Sequence, residues 1–420
     1  MLISIERSAI SGQLYASPSK SYTHRAILIA SLGQGSIIRG PLLSADTKAT
    51  INACEAFGAK ITLGHEIKIE GVIGKLQTPE DVINVMNSGT TLRFFTAIAG
   101  LTLGAVLTGD ASIRARPNGP LLSALNDLGA RAFSIRRNGN APLVVEGKMS
   151  GGLAKLNGNV SSQFLSALLI AAPLVMNDTC IIIKGELKSR PYAEITLEML
   201  ENAGVLIETH PQEFRVPGNQ EYALPSYTIP GDFSSASYPL AAAALTNGEL
   251  IFNGLFPSKQ GDSAIVGILE QMGARISWNQ ESGELKIKGD GLNGIEIDAS
   301  MTPDLVPTIA VLGSMANGTT IIKNAEHVRH KETDRLHAMA VELSKMGASI
   351  QELPDGLMII GGKLHGASLN GYHDHRIVMA LTVAGLTVGN TKIDTAETVD
   401  ISYPGFFKDL TNLGAAIRFV

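Results

Sequence analysis

Eight stretches of the chain place polar, chemistry-bearing residues directly before an apolar run. They are Ser19-Lys20-Ser21-Tyr22-Thr23-His24-Arg25, Asn87-Ser88-Gly89-Thr90-Thr91-Leu92-Arg93, Ser161-Ser162-Gln163, Ser189-Arg190-Pro191-Tyr192, Gly231-Asp232-Phe233-Ser234-Ser235-Ala236-Ser237-Tyr238, Pro303-Asp304, Lys331-Glu332-Thr333-Asp334-Arg335 and Asp374-His375-Arg376. Each reads as a helix start, where Ser, Thr, Asp and Pro are ordinary capping residues. Capping does not explain the cations. Lys20, Arg25, Arg93, Lys331, Arg335 and Arg376 fall in the first turn or two, where the helix dipole disfavours positive charge. An anion bound between the cation and the helix end removes that conflict. Backbone N–H groups together with Lys or Arg make a strong phosphate or carboxylate site. Several such starts converging on one cleft suit a substrate with more than one anionic group.

Two carboxylates, Asp304 and Glu332, stand among these cations. They either do acid–base work or serve only as salt-bridge partners. Glu332 lies three residues before Arg335, a spacing that puts both on one helix face.

Other signals lead nowhere. Gly289-Asp290-Gly291-Leu292-Asn293-Gly294 matches G-x-G-x-x-G, but the IEIDA that follows alternates like a strand. The dinucleotide reading needs a helix there. No Gly-Lys pair precedes Ser or Thr, so there is no P-loop, and no G-x-S-x-G elbow exists. His373/His375 and His327/His330 are the best-spaced histidine pairs, but Arg376 and Lys331 adjoin them and would repel a cation, so no metal is expected. Cys54 and Cys180 are too few for a metal cluster or disulfide framework and read as two buried thiols in a reducing compartment.

The elements that must position these residues follow a long-range pattern. A helix end, then Gly, then usually Ala, then a β-like residue recurs as ACEAFGAKI, ALNDLGARA, LEMLENAGVLI, ILEQMGARI, ELSKMGASI and DLTNLGAAI. The glycines are Gly58, Gly129, Gly204, Gly273, Gly347 and Gly414, at spacings of 71, 75, 69, 74 and 67 residues. Each phrase is a helix stop in which Gly takes the left-handed conformation. The surrounding unit reads strand, helix, strand, helix, strand. The period is too long for the common solenoid repeats, so a small βα-rich subdomain is used six times. A chain of 420 residues tends to split into domains, and LPSYTIPGD near Pro225–Gly231 breaks the pattern, leaving three units on each side. The fold class is α/β.

Composition agrees with this. Apolar residues make up 45% of the chain, aromatics 5%, and there are 44 glycines, a mix suited to large α/β cores with many tight turns. The formal net charge of −5 argues against nucleic acid as a partner. The N-terminus lacks a basic segment followed by an apolar one, and the apolar stretches Phe94–Gly109 and Leu305–Ile322 are too short or too interrupted to span a bilayer. A cytoplasmic protein without membrane contact is expected.

The motifs together resemble a known family. SPSKSYTHRA, NSGTTLR, RARPNGPLL with Arg116, VSSQFLSALL, LKSRPYAEITL, GDFSSASY, PDLVPT, HVRHKETDRL and HDHRIVMA follow one another in the order of the 5-enolpyruvylshikimate-3-phosphate (EPSP) synthase family of enolpyruvyl transferases. They cover nearly the whole chain, and the combination of K-E-T-D-R with D-H-R downstream is highly specific. The resemblance implies two domains of three βαβαββ-type units each, residues 19–229 and residues 1–18 with 230–420, with the active site in the cleft between them. It implies transfer of the enolpyruvyl group of phosphoenolpyruvate to the 5-hydroxyl of shikimate 3-phosphate, through a tetrahedral intermediate, with release of phosphate and no metal or redox cofactor. Lys20, Ser21, Arg25, Ser161, Ser162, Gln163, Ser189 and Lys331 would then hold shikimate 3-phosphate. Lys20, Gly89, Arg93, Arg116, Gln163, Arg335 and Arg376 would surround phosphoenolpyruvate. Asp304 would take the hydroxyl proton, and Glu332, with Lys20, is the candidate proton donor or acceptor at C3. Members of the family are commonly monomeric.

The chain departs from better-known members at three positions. Ile401 stands where many carry Lys, His327 where some carry Asn, and Phe94 where Pro often follows the Arg. Two rival readings share the site chemistry. One is a UDP-N-acetylglucosamine enolpyruvyl transferase, which typically has Lys-Asn in place of Lys20-Ser21 and often a catalytic Cys loop unlike Cys54 or Cys180. The other is a catalytically inactive, anion-binding relative, against which Lys20, Asp304, Glu332, Arg335 and Arg376 speak together.

Overall fold

The six glycine phrases are six copies of one backbone device. In the computed structural model, which describes residues Met1–Val420, Gly58, Gly129, Gly204, Gly273, Gly347 and Gly414 all have positive φ, between 77° and 110°. After each, the next residue's N–H donates to the carbonyl five residues back. The bonds are Ala59 to Cys54, Ala130 to Leu125, Val205 to Leu200, Ala274 to Leu269, Ala348 to Leu343 and Ala415 to Leu410, all 2.9–3.1 Å. This closure satisfies a helix-end carbonyl and turns the chain into the next strand. Gly204 isolates the backbone requirement, because a Cβ built there meets nothing within 4 Å. Gly204→Ala is therefore expected to destabilise its domain by about 1–2 kcal/mol from left-handed strain alone. An unshifted urea midpoint would contradict this.

Each repeat builds one four-stranded sheet with the same wiring. An edge strand pairs parallel with its neighbour, and two antiparallel strands follow, as in Gly152–Asn157, Thr179–Lys184, Glu213–Val216 and Glu208–His210. Strand residues alternate burial; Ile181 and Ile183 face the core while Cys180 and Ile182 do not, the period of a sheet covered on one face. The sequence unit is thus strand, helix, strand, helix, strand, strand. Gly289–Gly294 leads into the strand Glu296–Asp298 and opens no helix.

Three sheets are completed by distant segments, which decides how the chain divides. Ile3–Glu6 inserts between Thr391–Ile393 and Ala416–Phe419, and Gly12–Tyr15 runs parallel to Glu249–Asn253. Ser226–Thr228 returns to pair parallel with Gly35–Arg39. The chain accordingly packs as two units, Pro18–Ile229 and Met1–Ser17 with Pro230–Val420, each around its own hydrophobic core.

Within each unit the first helix of every repeat is buried on nearly all sides, with its polar residues gathered mainly toward its start. Lys20–Leu32, Gly89–Ala99 and Ser162–Ala171 fill one core; Phe233–Leu245, Val306–Met315 and His375–Val388 fill the other. A helix apolar all round beyond its first turns must be central. The second helices, such as Arg190–Asn202 and Arg335–Lys345, bury one face only. No helix is long and apolar enough to cross a membrane.

Candidate active site

In the unit Pro18–Ile229, the expected cations lie at or near helix starts that touch one another. Lys20 is the first residue of its helix, and Nζ donates to Asp46 Oδ2 at 2.9 Å. Asp46 lies in the first turn of Ala45–Ala56, capped by a reciprocal Ser44–Thr47 pair. That helix start also carries a cation, the exposed Lys48, but what it brings to the cluster is the Asp46 carboxylate, which a search for cations at helix ends does not pick out. The S-x-x-T capping signal was the available clue.

Arg25 is buried, with its guanidinium over the Phe94 ring at 5.2 Å. Nε donates to Thr196 Oγ1 at 2.7 Å, Nη1 to the Ser21 carbonyl at 2.9 Å, and Nη2 to the Tyr192 carbonyl at 2.8 Å and Ser166 Oγ at 3.4 Å. These partners tie Lys20–Leu32 to Ser162–Ala171 and Arg190–Asn202. All are neutral, and burial pulls the guanidinium down to about 10, so it stays cationic at neutral pH. A buried cation among neutral acceptors is poised for an external anion. Phe94 supplies its aromatic cover.

A second group centres on Gly89. Arg93 Nη1 donates to Gln163 Oε1 and, at 3.4 Å, to Ser161 Oγ, and its guanidinium lies over Phe164. Gln163 Nε2 donates to Thr90 Oγ1 at 2.9 Å, while Ser161 caps the helix that Ser162 opens. Arg116 reaches Ser112 Oγ at 3.0 Å and Asn87 Oδ1 at 3.4 Å. A Cβ on Gly89 would stand 2.8 Å from Arg116 Nη1, too close, and 3.7 Å from Arg93 Nη1, an ordinary contact, so glycine is what lets the Arg116 guanidinium close over this helix start.

Ser189 precedes Arg190–Asn202 with φ 55°, ψ 34°, and Ser19 precedes Lys20–Leu32; neither side chain caps its helix. A left-handed Ser costs about 1–2 kcal/mol, and such strain concentrates where a side chain or N–H group is aimed for function.

The unit formed by Met1–Ser17 with Pro230–Val420 holds the expected acid–base groups. Asp304, in the turn Pro303–Leu305, accepts from Arg335 Nη1 at 2.8 Å and Arg376 Nη2 at 2.8 Å, with Lys331 Nζ at 3.7 Å. Arg335 is fully buried. It also donates to Glu332 Oε2 at 2.6 Å and to both oxygens of Asp374, at 2.8 and 3.3 Å. Burial alone would lower the Arg335 pKa; the Asp374, Glu332 and Asp304 carboxylates outweigh it and hold the pKa above its ordinary value. Asp374 caps His375–Val388 through the Arg376 N–H at 2.9 Å. Three cations and three carboxylates thus form one interlocked set, a denser balance than the sequence suggested. Asp374 was visible as a cap, but its grip on Arg335 was not.

Two sequence expectations need correction. Glu332 is not on a helix face with Arg335. Asp334 caps that helix through the His337 N–H at 3.1 Å, and helical geometry begins at Arg335. Glu332 meets Arg335 from the preceding bend, which Arg329 pins through Asp334, Glu352 and the carbonyls of Leu353 and Pro354. The thiols also differ from each other. Cys54 is buried, and that burial pushes it up to about 12, whereas Cys180 is only half-buried on its strand.

Comparison with known proteins identifies the family. The family model for EPSP synthase (3-phosphoshikimate 1-carboxyvinyltransferase) matches residues 5–410. The chain is 66% identical over 419 residues to a 3-phosphoshikimate 1-carboxyvinyltransferase of Methanothrix thermoacetophila, covering 100% of this chain and 99% of the relative. It is 59% identical over 421 residues to the enzyme so named in Methanocella arvoryzae, covering both chains fully. The solved EPSP synthase of Acinetobacter baumannii superposes with a TM-score of 0.84 at 26% identity, covering 100% of each chain. Sequence, fold and the placing of the charged helix starts therefore lead to one conclusion: the chain belongs to the EPSP synthase (3-phosphoshikimate 1-carboxyvinyltransferase) family.

Proposed function

We propose that this protein transfers the enolpyruvyl group of phosphoenolpyruvate to the 5-hydroxyl of shikimate 3-phosphate, in the cytoplasm and as a monomer, and that both units serve this one reaction. The observation that carries the reading is the end-to-end identity with enzymes of that name, with Asp304 held among Lys331, Arg335 and Arg376. The substrates bring two phosphates and two carboxylates. Lys20, Ser21, Arg25, Ser161, Ser162, Gln163, Ser189 and Lys331 hold shikimate 3-phosphate. Lys20, Gly89, Arg93, Arg116, Gln163, Arg335 and Arg376 surround phosphoenolpyruvate. Helix N–H groups left without side-chain caps at Lys20 and Arg190 suit phosphate oxygens.

The chemistry needs a base, an acid and exclusion of water. Asp304 accepts the 5-hydroxyl proton as that oxygen attacks C2. C3 gains a proton, giving the tetrahedral intermediate. Loss of a C3 proton then expels phosphate and leaves the enolpyruvyl ether. Glu332 and Lys20 are the groups that manage the C3 proton. Atoms balance without an electron acceptor, so no redox cofactor enters.

The test is phosphate release from phosphoenolpyruvate with shikimate 3-phosphate or with UDP-N-acetylglucosamine. Release only with the former is expected. Release only with the nucleotide sugar would move the protein to the sister activity, and none with either would indicate an inactive relative. Gel filtration tests the monomer. Gly89→Ala should raise the KM for phosphoenolpyruvate about tenfold or more, because displacing Arg116 removes a charge-assisted bond of about 1.5–3 kcal/mol. An unchanged KM would remove Arg116 from the site.

A further inference from the structure

The helices Lys20–Leu32 and Ala45–Ala56 are joined by two rungs at the same spacing. Lys20 Nζ meets Asp46 Oδ2 at 2.9 Å. Four residues on along both helices, His24 Nδ1 lies 2.6 Å from Thr50 Oγ1. One turn separates the rungs, so Lys20 and His24 share a face, as do Asp46 and Thr50. The inner rung continues. Thr50 Oγ1 is 2.7 Å from Thr91 Oγ1, which is 2.6 Å from Ser88 Oγ. Ser88 in turn caps Gly89–Ala99 by accepting from the Thr91 N–H at 3.2 Å. The chain of four side chains crosses three helices. It begins one turn behind Lys20 and ends on the residue before Gly89, and each member is at most 1% exposed.

An apolar core would fill this space as well. What apolar contacts lack is direction: a hydrogen-bonded chain has one satisfied register, and a slip leaves buried hydroxyls without partners. The chain is also uncharged. Burial first, then Lys20 and Arg25, holds the His24 imidazole well below its ordinary pKa, so it adds no cation to a site already rich in them.

We propose that His24, Thr50, Thr91 and Ser88 are positioning residues that keep Lys20 in register with the Asn87–Gly89 loop. They thereby set the spacing of the groups around phosphoenolpyruvate. This rests on the function proposed above. The chain does not run through the helix starts that carry Ser161, Ser162 and Ser189. Of the groups assigned above it sets Lys20, which both substrates share, against Gly89, which only phosphoenolpyruvate uses, so its loss should fall more heavily on phosphoenolpyruvate.

The experiment compares Thr50→Val, which keeps shape and deletes the hydroxyl, with Thr50→Ser, which restores it. Thr50→Val should lower kcat/KM for phosphoenolpyruvate by about tenfold to hundredfold, the scale of a small misplacement of reacting groups. KM for shikimate 3-phosphate, which shares Lys20, should rise clearly less than KM for phosphoenolpyruvate, and Thr50→Ser should return within about threefold of wild type. Wild-type kinetics in Thr50→Val would overturn the proposal. So would equal losses in the Val and Ser variants, or equal rises in both KM values. If Thr50→Val does not fold, by near-ultraviolet circular dichroism, Thr91→Val is judged by the same criteria. An inactive wild-type enzyme would sink the parent reading and this one with it; an active wild type with an unaffected valine variant sinks only this one.

Discussion

Asp304→Asn will bind both substrates and turn them over roughly 10²–10⁴-fold more slowly, the range general-base catalysis commonly contributes. The substitution keeps the size and planar shape of the side chain and removes its ability to take a proton. Its neighbours make the result readable. Asp304 lies between Arg335 and Arg376 at 2.8 Å each, so an amide there retains one oxygen acceptor but turns its NH2 toward a guanidinium. That mismatch is confined to a partly exposed position, where water can relieve it. KM values within about threefold of wild type, with kcat collapsed, would identify a group acting in the transition state. Turnover within about fivefold of wild type would remove Asp304 as the base.

The largest effect on stability belongs to Arg335. Arg335→Met should destabilise its domain by about 3–5 kcal/mol, the cost of leaving buried charges without their partner. Asp374 is fully buried and depends on the guanidinium through both oxygens, while Glu332 and Asp304 share the remaining donors. Arg335→Lys should recover little, because one ammonium cannot reproduce the paired bonds from Nε and Nη2. With two packing units, unfolding need not be a single step, so the measured quantity is the midpoint of the transition that exposes the Pro230–Val420 core. A loss below about 1 kcal/mol would show that the carboxylates find water or other partners.

These effects divide along the line between local and distant information. The amino-acid sequence by itself determined whatever a short segment can enforce. Six helix stops were legible because only glycine accepts positive φ cheaply, and six phrases at nearly constant spacing cannot hide. The helix starts were legible because caps are local hydrogen bonds, and the stray cations stood out because the helix dipole opposes them. The resemblance to enolpyruvyl transferases rested on these same residues.

The tertiary structure decided which of them meet. Lys20 finds Asp46 across 26 positions, Asp304 finds Arg376 across 72, and Arg25 finds Thr196 across 171. No local pattern encodes such partners, because they follow from how strands pair. Ile3–Glu6 belongs to the last sheet only through its ladders with Thr391–Ile393 and Ala416–Phe419. Glu332 shows the same limit at close range. Its spacing suggested a shared helix face, but Asp334 captured the helix start, and the ion pair with Arg335 formed across a bend. A cap is decided within four residues, whereas a buried ion pair is decided by whichever chains the folded core brings within 3 Å. That is why the chemistry of this protein could be read from its sequence, and the wiring that aims it could not.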